Sequence, residues 1–401
     1  MKLLAKRVIR AALSAVGWLV VPFWLGALWL IEPFHKLRFI WLLDGRIGHL
    51  AMDTDLFLRR FALNGKPARS TLIFLATNPC NRQLVMMFAR KNPTVVSPWL
   101  EWMFATLREF LARTRFFIPV ISKSDEHREF SLTAPSLSFL PEEERRGRSE
   151  LERMGVGASD WFVCLHTRDQ AYLQSMGYPT ESGGANDHRN CSIENYLPAA
   201  DYIAKQGGYV LRLGAKVERP LPEGLDPRII DYATHFRSDF MDIYLPAHCR
   251  FYFGCDSGIA QVPQIFNKYH GLANYVPYCF VPMGRYARYI PKLLYPLAGD
   301  QPLPFRRAAD MGLFHNKPEQ GRSMNQYLHD HGLEWRENLP EDILDFALDM
   351  IDFCNGTEVP LEAQRLQQLY AMFYQGTKNY SEYSPSIGPR FALKYRRLIE
   401  S

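Results

Sequence analysis

Residues 161–170 read WFVCLHTRDQ, residues 209–216 read YVLRLGAK and residues 251–258 read FYFGCDSG. Each is a short apolar run that ends in small, cationic or hydroxyl-bearing residues and then enters a turn or a helix start. The pattern is that of a buried strand followed by a functional loop, three times between Trp161 and Gln261. In an open α/β sheet, ligands bind at the carboxyl ends of the strands. Cations and small residues there suit a phosphorylated ligand, with a nucleotide sugar as the leading candidate.

Working outward, Ile193–Gln206 has helical spacing and stops at Gly207-Gly208. Ile229-Ile230 and Phe251–Phe253 read as further strands, with a helix over Asp239–Ala247 between them and another from Ser257 to Phe266. Upstream, Phe39–Leu43, Thr71–Ala76 and Thr94–Val96 are predicted strands, alternating with helices over Leu50–Phe61, Pro79–Ala89 and Trp99–Ala112. This alternation predicts an α/β fold with parallel sheets. Ser122–Gly157 is polar, holds Pro135, Pro141 and the charge run Glu142–Arg146, and reads as an interdomain connection. Gly177–Asn190 reads as a polar insertion. The expected organisation is a membrane segment over 1–38, an α/β domain over 39–150, a second over 151–335, and closing helices over 336–401, among them Pro340–Cys354 and Leu361–Phe373.

The chain has 401 residues, 47% hydrophobic and 22% charged, which is enough for two sizeable cores. A net charge of +5 with no basic run interleaved with aromatics gives no reason to expect nucleic acid as a partner. Seven scattered cysteines without a CxxC pair read as buried thiols in a reducing compartment.

Ala11–Ile31 holds no charged residue and approaches the ~20 residues that cross a bilayer. Lys2, Lys6, Arg7 and Arg10 precede it, Lys36 and Arg38 follow, and Trp18, Trp24 and Trp29 suit an interface. Its exit through Trp29-Leu30-Ile31-Glu32 lacks the small residues of a cleavage site. Two membrane-associated readings stand side by side: a single spanning helix, or a re-entrant or surface-lying hairpin bent at Pro22. A buried core helix is the third. Either anchored form leaves the rest of the chain at the cytoplasmic face of the inner membrane.

The candidate site residues fall in five clusters, with Tyr232 apart. Gly48 and His49 follow the first strand. His49 is either the general base for an acceptor hydroxyl, with Gly48 admitting the ligand, or a packed histidine in a tight turn. His166 and Arg168 end a strand. Arg168 either clamps phosphate bidentately or pairs with Asp169 at the surface. His188 and Asn190, in the Asp187–Asn190 loop near Asn195 and Tyr196, either meet sugar hydroxyls of the acceptor or supply a base, or belong to a solvated loop. Arg212, Gly214 and Lys216 end the next strand, and Tyr232 ends a later one, where it can pack on a base. Asp256, Ser257 and Gly258 read as a helix start whose amides hold a diphosphate, or as a structural cap. Asp53-Thr-Asp55 falls within a helix, so its carboxylates diverge and no metal site is expected. No HExxH, GxSxG, Walker loop or complete GxGxxG occurs, and no cofactor is expected.

In sequence order, His188–Pro198, Gly208–Gly214, Ile230–Tyr232 and Arg237–Asp239 together resemble a family of bacterial glycosyltransferases associated with surface-polysaccharide genes. The resemblance covers residues 40 to 300. His166 and Arg168, followed by Asp256 and Ser257, are more distantly similar to the donor-site elements of fucosyltransferase-like GT-B enzymes. This implies two Rossmann-like domains facing a cleft. The C-terminal one would bind the nucleotide sugar and the N-terminal one a lipid-linked or glycan acceptor. It also implies metal-independent, inverting transfer of a hexosyl or deoxyhexosyl group. Asp169-Gln170 departs from the fucosyltransferase pattern, which argues against fucose. An epimerase or hydrolase of sugar nucleotides on the same fold, and a non-catalytic polysaccharide-assembly protein, remain as alternatives.

Overall fold

The computed structural model describes residues 2–65, 69–104, 106–120, 127–177, 187–282, 284–315, 323–377, 380–382 and 384–401. Most of the polar insertion, and residues 122–126 of the connection, lie outside the described residues. The chain divides into two compact units, Met1–Lys123 with Ser136–Phe139, and Ser124–Pro135 with Leu140–Ser401.

The first unit carries a four-stranded parallel sheet of β1 (Lys36–Trp41), β2 (Ser70–Ala76), β3 (Thr94–Val96) and β4 (Phe117–Pro119), in the order β3-β2-β1-β4. The order reverses between β1 and β4, which makes their carboxyl ends a topological switch point. The helix expected over Trp99–Ala112 forms as two pieces, Pro98–Phe104 and Arg108–Ala112.

The N-terminal segment is one helix, Lys2–Ile31, with Pro22 inside it. The hairpin bent at Pro22 is therefore not what forms. An interior proline costs ~3 kcal/mol, but here packing on both sides of it holds the helix to one surface. Val21 and Leu28 are buried in a core with Phe39, Leu107, Leu111 and Phe117. Trp24 packs edge-on to Phe39, with ring centroids 4.7 Å apart. Gly17 lets the helix approach closely, since a Cβ there would collide with the Met103 carbonyl. Over Arg7–Ile31 the helix is long and apolar enough to cross a membrane by length and composition.

The second unit carries six parallel strands: β5 (Phe162–His166), β6 (Tyr209–Arg212), β7 (Ile229–Ile230), β8 (Phe251–Gly254), β9 (His270–Tyr275) and β10 (Ala287–Pro291). Their order is β10-β9-β8-β5-β6-β7, which counted from β5 is the doubly wound 3-2-1-4-5-6. The switch point lies between β5 and β8. A small antiparallel pair, β11 (Leu293–Pro296) with β12 (Leu333–Arg336), follows. The helix Pro340–Asn355 buries Ile343, Phe346, Ala347 and Met350 at i, i+3, i+4 and i+7, and ends at Gly356 in the left-handed region. It packs on the sheet, with Phe346 5.8 Å from Phe253.

One predicted helix start moves. Asp256–Ala260 forms bends and turns, and the helix there is the five-residue Gln261–Ile265. Ser257 is buried with its hydroxyl 3.4 Å from that of Tyr252, so it turns into the core and caps nothing. The expected amide-lined helix terminus at Ser257 is absent for that reason.

Candidate functional site

A pocket of about 510 Å³ opens in the second unit, lined among others by Thr167 and Arg168 after β5, Arg212 at the end of β6, His188 and Asn190, Lys292, and Trp335. That volume is in the range of small-ligand sites. The strand ends fix its geometry. Gly254 ends β8, and a Cβ on it would strike the His166 carbonyl. Glycine therefore lets β8 and β5 run together to their tips. The Arg168 amide donates to Cys255 Sγ at 3.0 Å and the Arg168 carbonyl accepts from the Cys191 amide at 3.1 Å. The Arg168 backbone is thereby clamped from two sides.

The side chain of Arg168 donates through Nε to Asn190 Oδ1 at 3.2 Å. Lys292, buried, donates to the Asn190 carbonyl at 2.8 Å. Neither cation meets a carboxylate within ion-pair reach among the described residues. The surface pair of Arg168 with Asp169 does not form. The Asp169 carboxylate instead accepts from the amides of Ala171 and Glu218, each at 3.0 Å. Glu337 is likewise held by the Ser192 amide and Asn195 Nδ2. Asp169 and Glu337 are thus held by neutral donors and form no ion pair with Arg168 or Lys292. Burial, and next the Arg189 guanidinium, lowers the Arg168 pKa from its ordinary value. An anion in the pocket would relieve that electrostatic cost.

Arg212 behaves differently. It is buried and bonds Asp231 at 3.1 Å and the Arg219 carbonyl at 3.1 Å, with Nε unpartnered. Arg189 bonds Asp256 at 2.8 Å, also leaving a buried Nε without a partner. His188 is buried with Nδ1 unpartnered and its ring 5.7 Å from Trp335. Burial, then Arg189, Lys292 and Arg168, pushes its pKa down to about 3. His166 ends β5 with Nδ1 against the Leu213 carbonyl at 2.9 Å, and burial pushes it down to about 4. Both are neutral at pH 7, so neither adds charge to the site.

These shifts carry a sign. A histidine whose folded pKa lies below its unfolded value of 6.5 holds fewer protons when folded. Its contribution is intact above pH 6.5 and is lost as the pH falls through 6.5 toward 4 for His166 and toward 3 for His188. Asp242 and Asp349, raised by burial to about 6, act oppositely as the pH falls below 6. His270, which burial also pushes down to about 4, adds to the two histidines, so the melting temperature should drop between pH 6.5 and 4 despite the two aspartates. His188→Gln should flatten part of that fall in a thermal-unfolding series across pH.

The pocket brings together Arg168, His188, Asn190 and Arg212. Gly214 and His166 sit behind it at the strand ends, and Lys216 and Gly258 are exposed elsewhere. Tyr232 is in the core, its hydroxyl donating to Asp242 at 2.9 Å, and offers no free ring face. Lys292, Trp335 and Glu337 were not anticipated. They come from around β10, β11 and β12, whose strand signals are weak.

In the first unit, Gly48 is buried with helical angles (φ −62°, ψ −47°), and His49 opens a π-helical segment, His49–Asp53, beyond the carboxyl end of β1. Such segments recur at functional positions. His49 Nδ1 lies 2.9 Å from Asp53 Oδ2. The imidazole is half-exposed and the carboxylate is buried. The Nδ1–H donates to the carboxylate in that geometry, which leaves Nε2 facing outward as an acceptor. Asp55 turns the other way and bonds Arg59 at 2.5 Å and the Ser136 hydroxyl.

No protein-family model matches the chain, and no curated protein matches it. Among solved structures, the ADP-heptose lipopolysaccharide heptosyltransferase II of E. coli superimposes with a TM-score of 0.44 at 14% identity, over 63% of this chain and 90% of that one. A family 9 glycosyl transferase from Veillonella parvula gives 0.42 at 10% identity, over 79% and 97%. An iron-containing dodecameric glycosyltransferase from enterotoxigenic E. coli gives 0.39 at 9%, over 80% and 77%.

Proposed function

We propose that this chain is a glycosyltransferase that moves a sugar from a nucleotide-diphosphate donor to a glycan or lipid-linked acceptor. The observation that carries the reading is the pair of cations, Arg168 and Lys292, held without carboxylate partners among the described residues in a pocket at the switch point of a doubly wound sheet. A diphosphate supplies the missing negative charge. The two parallel-sheet units serve as the lobes of a GT-B enzyme, the second holding the donor.

In the proposed reaction the bond between the anomeric carbon and the phosphate oxygen breaks, and its electron pair leaves with the diphosphate. Arg168 and Lys292 offset that growing charge. The acceptor oxygen forms the new bond to the anomeric carbon, and its proton passes to His49 Nε2. A single displacement of this kind inverts the anomeric centre.

Thermal unfolding against a panel of nucleosides, nucleoside diphosphates and nucleotide sugars tests the reading. A ligand that binds only the folded state raises the melting temperature, by about 2.7 kcal/mol of stability at a hundredfold excess over Kd. Diphosphates should shift it by a few degrees and nucleosides should not. If no diphosphate shifts it, the donor site is wrongly placed. Products formed from donor alone would instead indicate an epimerase or hydrolase.

A further inference from the structure

We propose that the N-terminal helix lies in the plane of an anionic bilayer surface, inserted by its outward apolar stripe, and does not cross the bilayer. The helix is apolar on two faces. Gly17, Val21 and Leu28 are buried, and Trp24 and Leu25 pack with them on the first unit's core. Ser14 and Trp18 extend the docked face through the Thr106 hydroxyl, at 2.5 and 3.2 Å. A second stripe points away. Val16, Leu19, Val20, Phe23 and Leu30 recur at helical spacing, with Leu19 71%, Phe23 82% and Leu30 67% exposed. Phe34, beyond the helix, is exposed as well.

A crossing helix needs ~20 residues in hydrocarbon, but here Ser14 to Leu28 is engaged with the domain. That docked surface carries Glu32 paired with Arg38 and Arg115, each at 2.6 Å, and Arg108 stacked 4.2 Å over Trp41. Carrying these charges into hydrocarbon is costly. Undocking the helix would bare Phe39 and Phe117 to water. Lying in the plane satisfies both faces, one on protein and one on acyl chains.

Charge selects the lipid. Lys2, Lys6, Arg7 and Arg10 precede the stripe, and no acidic residue occurs before Glu32. Each such cation near an anionic leaflet contributes attraction that salt screens. Trp29, exposed beside the stripe, suits the headgroup level.

The test is flotation of the full chain with phosphatidylcholine vesicles, with and without about 30% phosphatidylglycerol. It is compared with Phe23→Glu and Leu19→Glu, both at exposed positions. The full chain should float with the anionic vesicles, more weakly at high salt, and each variant should lose about tenfold or more in partitioning. Circular dichroism and melting temperature check that the variants remain folded. A chain that ignores the vesicles overturns the proposal. So does undiminished binding of the folded variants. Single cysteines placed at Ala11 and Ile31 should both react with an impermeant maleimide added outside. Labelling of only one after insertion would show a spanning helix instead. Lipid-independent dimers broken by Phe23→Glu, without vesicle binding, would assign the stripe to a second copy of the chain.

Discussion

Arg168→Ala should lower kcat/KM by about 10²–10³, the effect of removing one preorganised donor from developing charge in a water-poor site. It should also abolish the stabilisation by nucleoside diphosphates. What makes this prediction specific is its opposite effect on the empty protein. Arg168 is held at the mouth of β5, and among the described residues its side chain has only Asn190 Oδ1 as a hydrogen-bond partner, at 3.2 Å. Its neighbour Asp169 is turned to loop amides, and Arg189 adds repulsion. The folded protein therefore carries a charge that burial and a like neighbour disfavour. Alanine relieves it, so the ligand-free melting temperature should hold or rise while ligand response vanishes. Arg168→Lys keeps the charge but loses the planar fork, and should fall between, about tenfold down. A structural arginine would behave the other way. If Arg168→Ala melts well below the parent and still responds to diphosphates, Arg168 is a scaffold residue and the donor assignment fails.

β5, β6 and β8 are readable in the sequence because Phe162–Leu165, Tyr209–Leu211 and Phe251–Phe253 are unbroken apolar runs ending at a histidine, an arginine and a glycine. Strand exits in such a sheet place functional side chains at one edge, so Arg168 follows from the pattern. β9 is not readable. His270-Gly-Leu-Ala-Asn-Tyr275 has no β-branched residue, holds a glycine, and takes φ +55° at Asn274, yet all six residues are buried. Tertiary context decides such a strand. Lys292 then goes unseen because it is the single residue between β10 and β11, 124 positions from Arg168 (292 − 168). The Ser257 reading errs for a related reason. Asp-Ser-Gly is a local capping signature, and the side chain was instead drawn inward toward Tyr252. Asp169 shows the same failure from the other side, since adjacency to Arg168 along the chain did not make them partners.

His49→Ala should lower kcat by about 10²–10³ with donor affinity unchanged, because a general base acts on the acceptor proton and not on the diphosphate. The pairing with Asp53 sharpens this expectation. With Nδ1–H committed to Asp53 at 2.9 Å, the ring is fixed in one tautomer and Nε2 is available to take a proton. The buried carboxylate then steadies the imidazolium that results, the role an orienting carboxylate plays beside any histidine base. Asp53→Asn preserves the side-chain shape but removes that charge and can offer its amide to Nδ1, which favours the wrong tautomer. It should cost kcat at least about tenfold, again without moving the donor Kd, whereas His49→Gln should match alanine because glutamine cannot accept the proton. Steady-state kinetics on the folded variants, beside donor binding by calorimetry, separates the two parameters. Full turnover in His49→Ala would reduce the pair to a helix-stabilising contact at i and i+4. A loss confined to donor Kd would move His49 from proton transfer to binding.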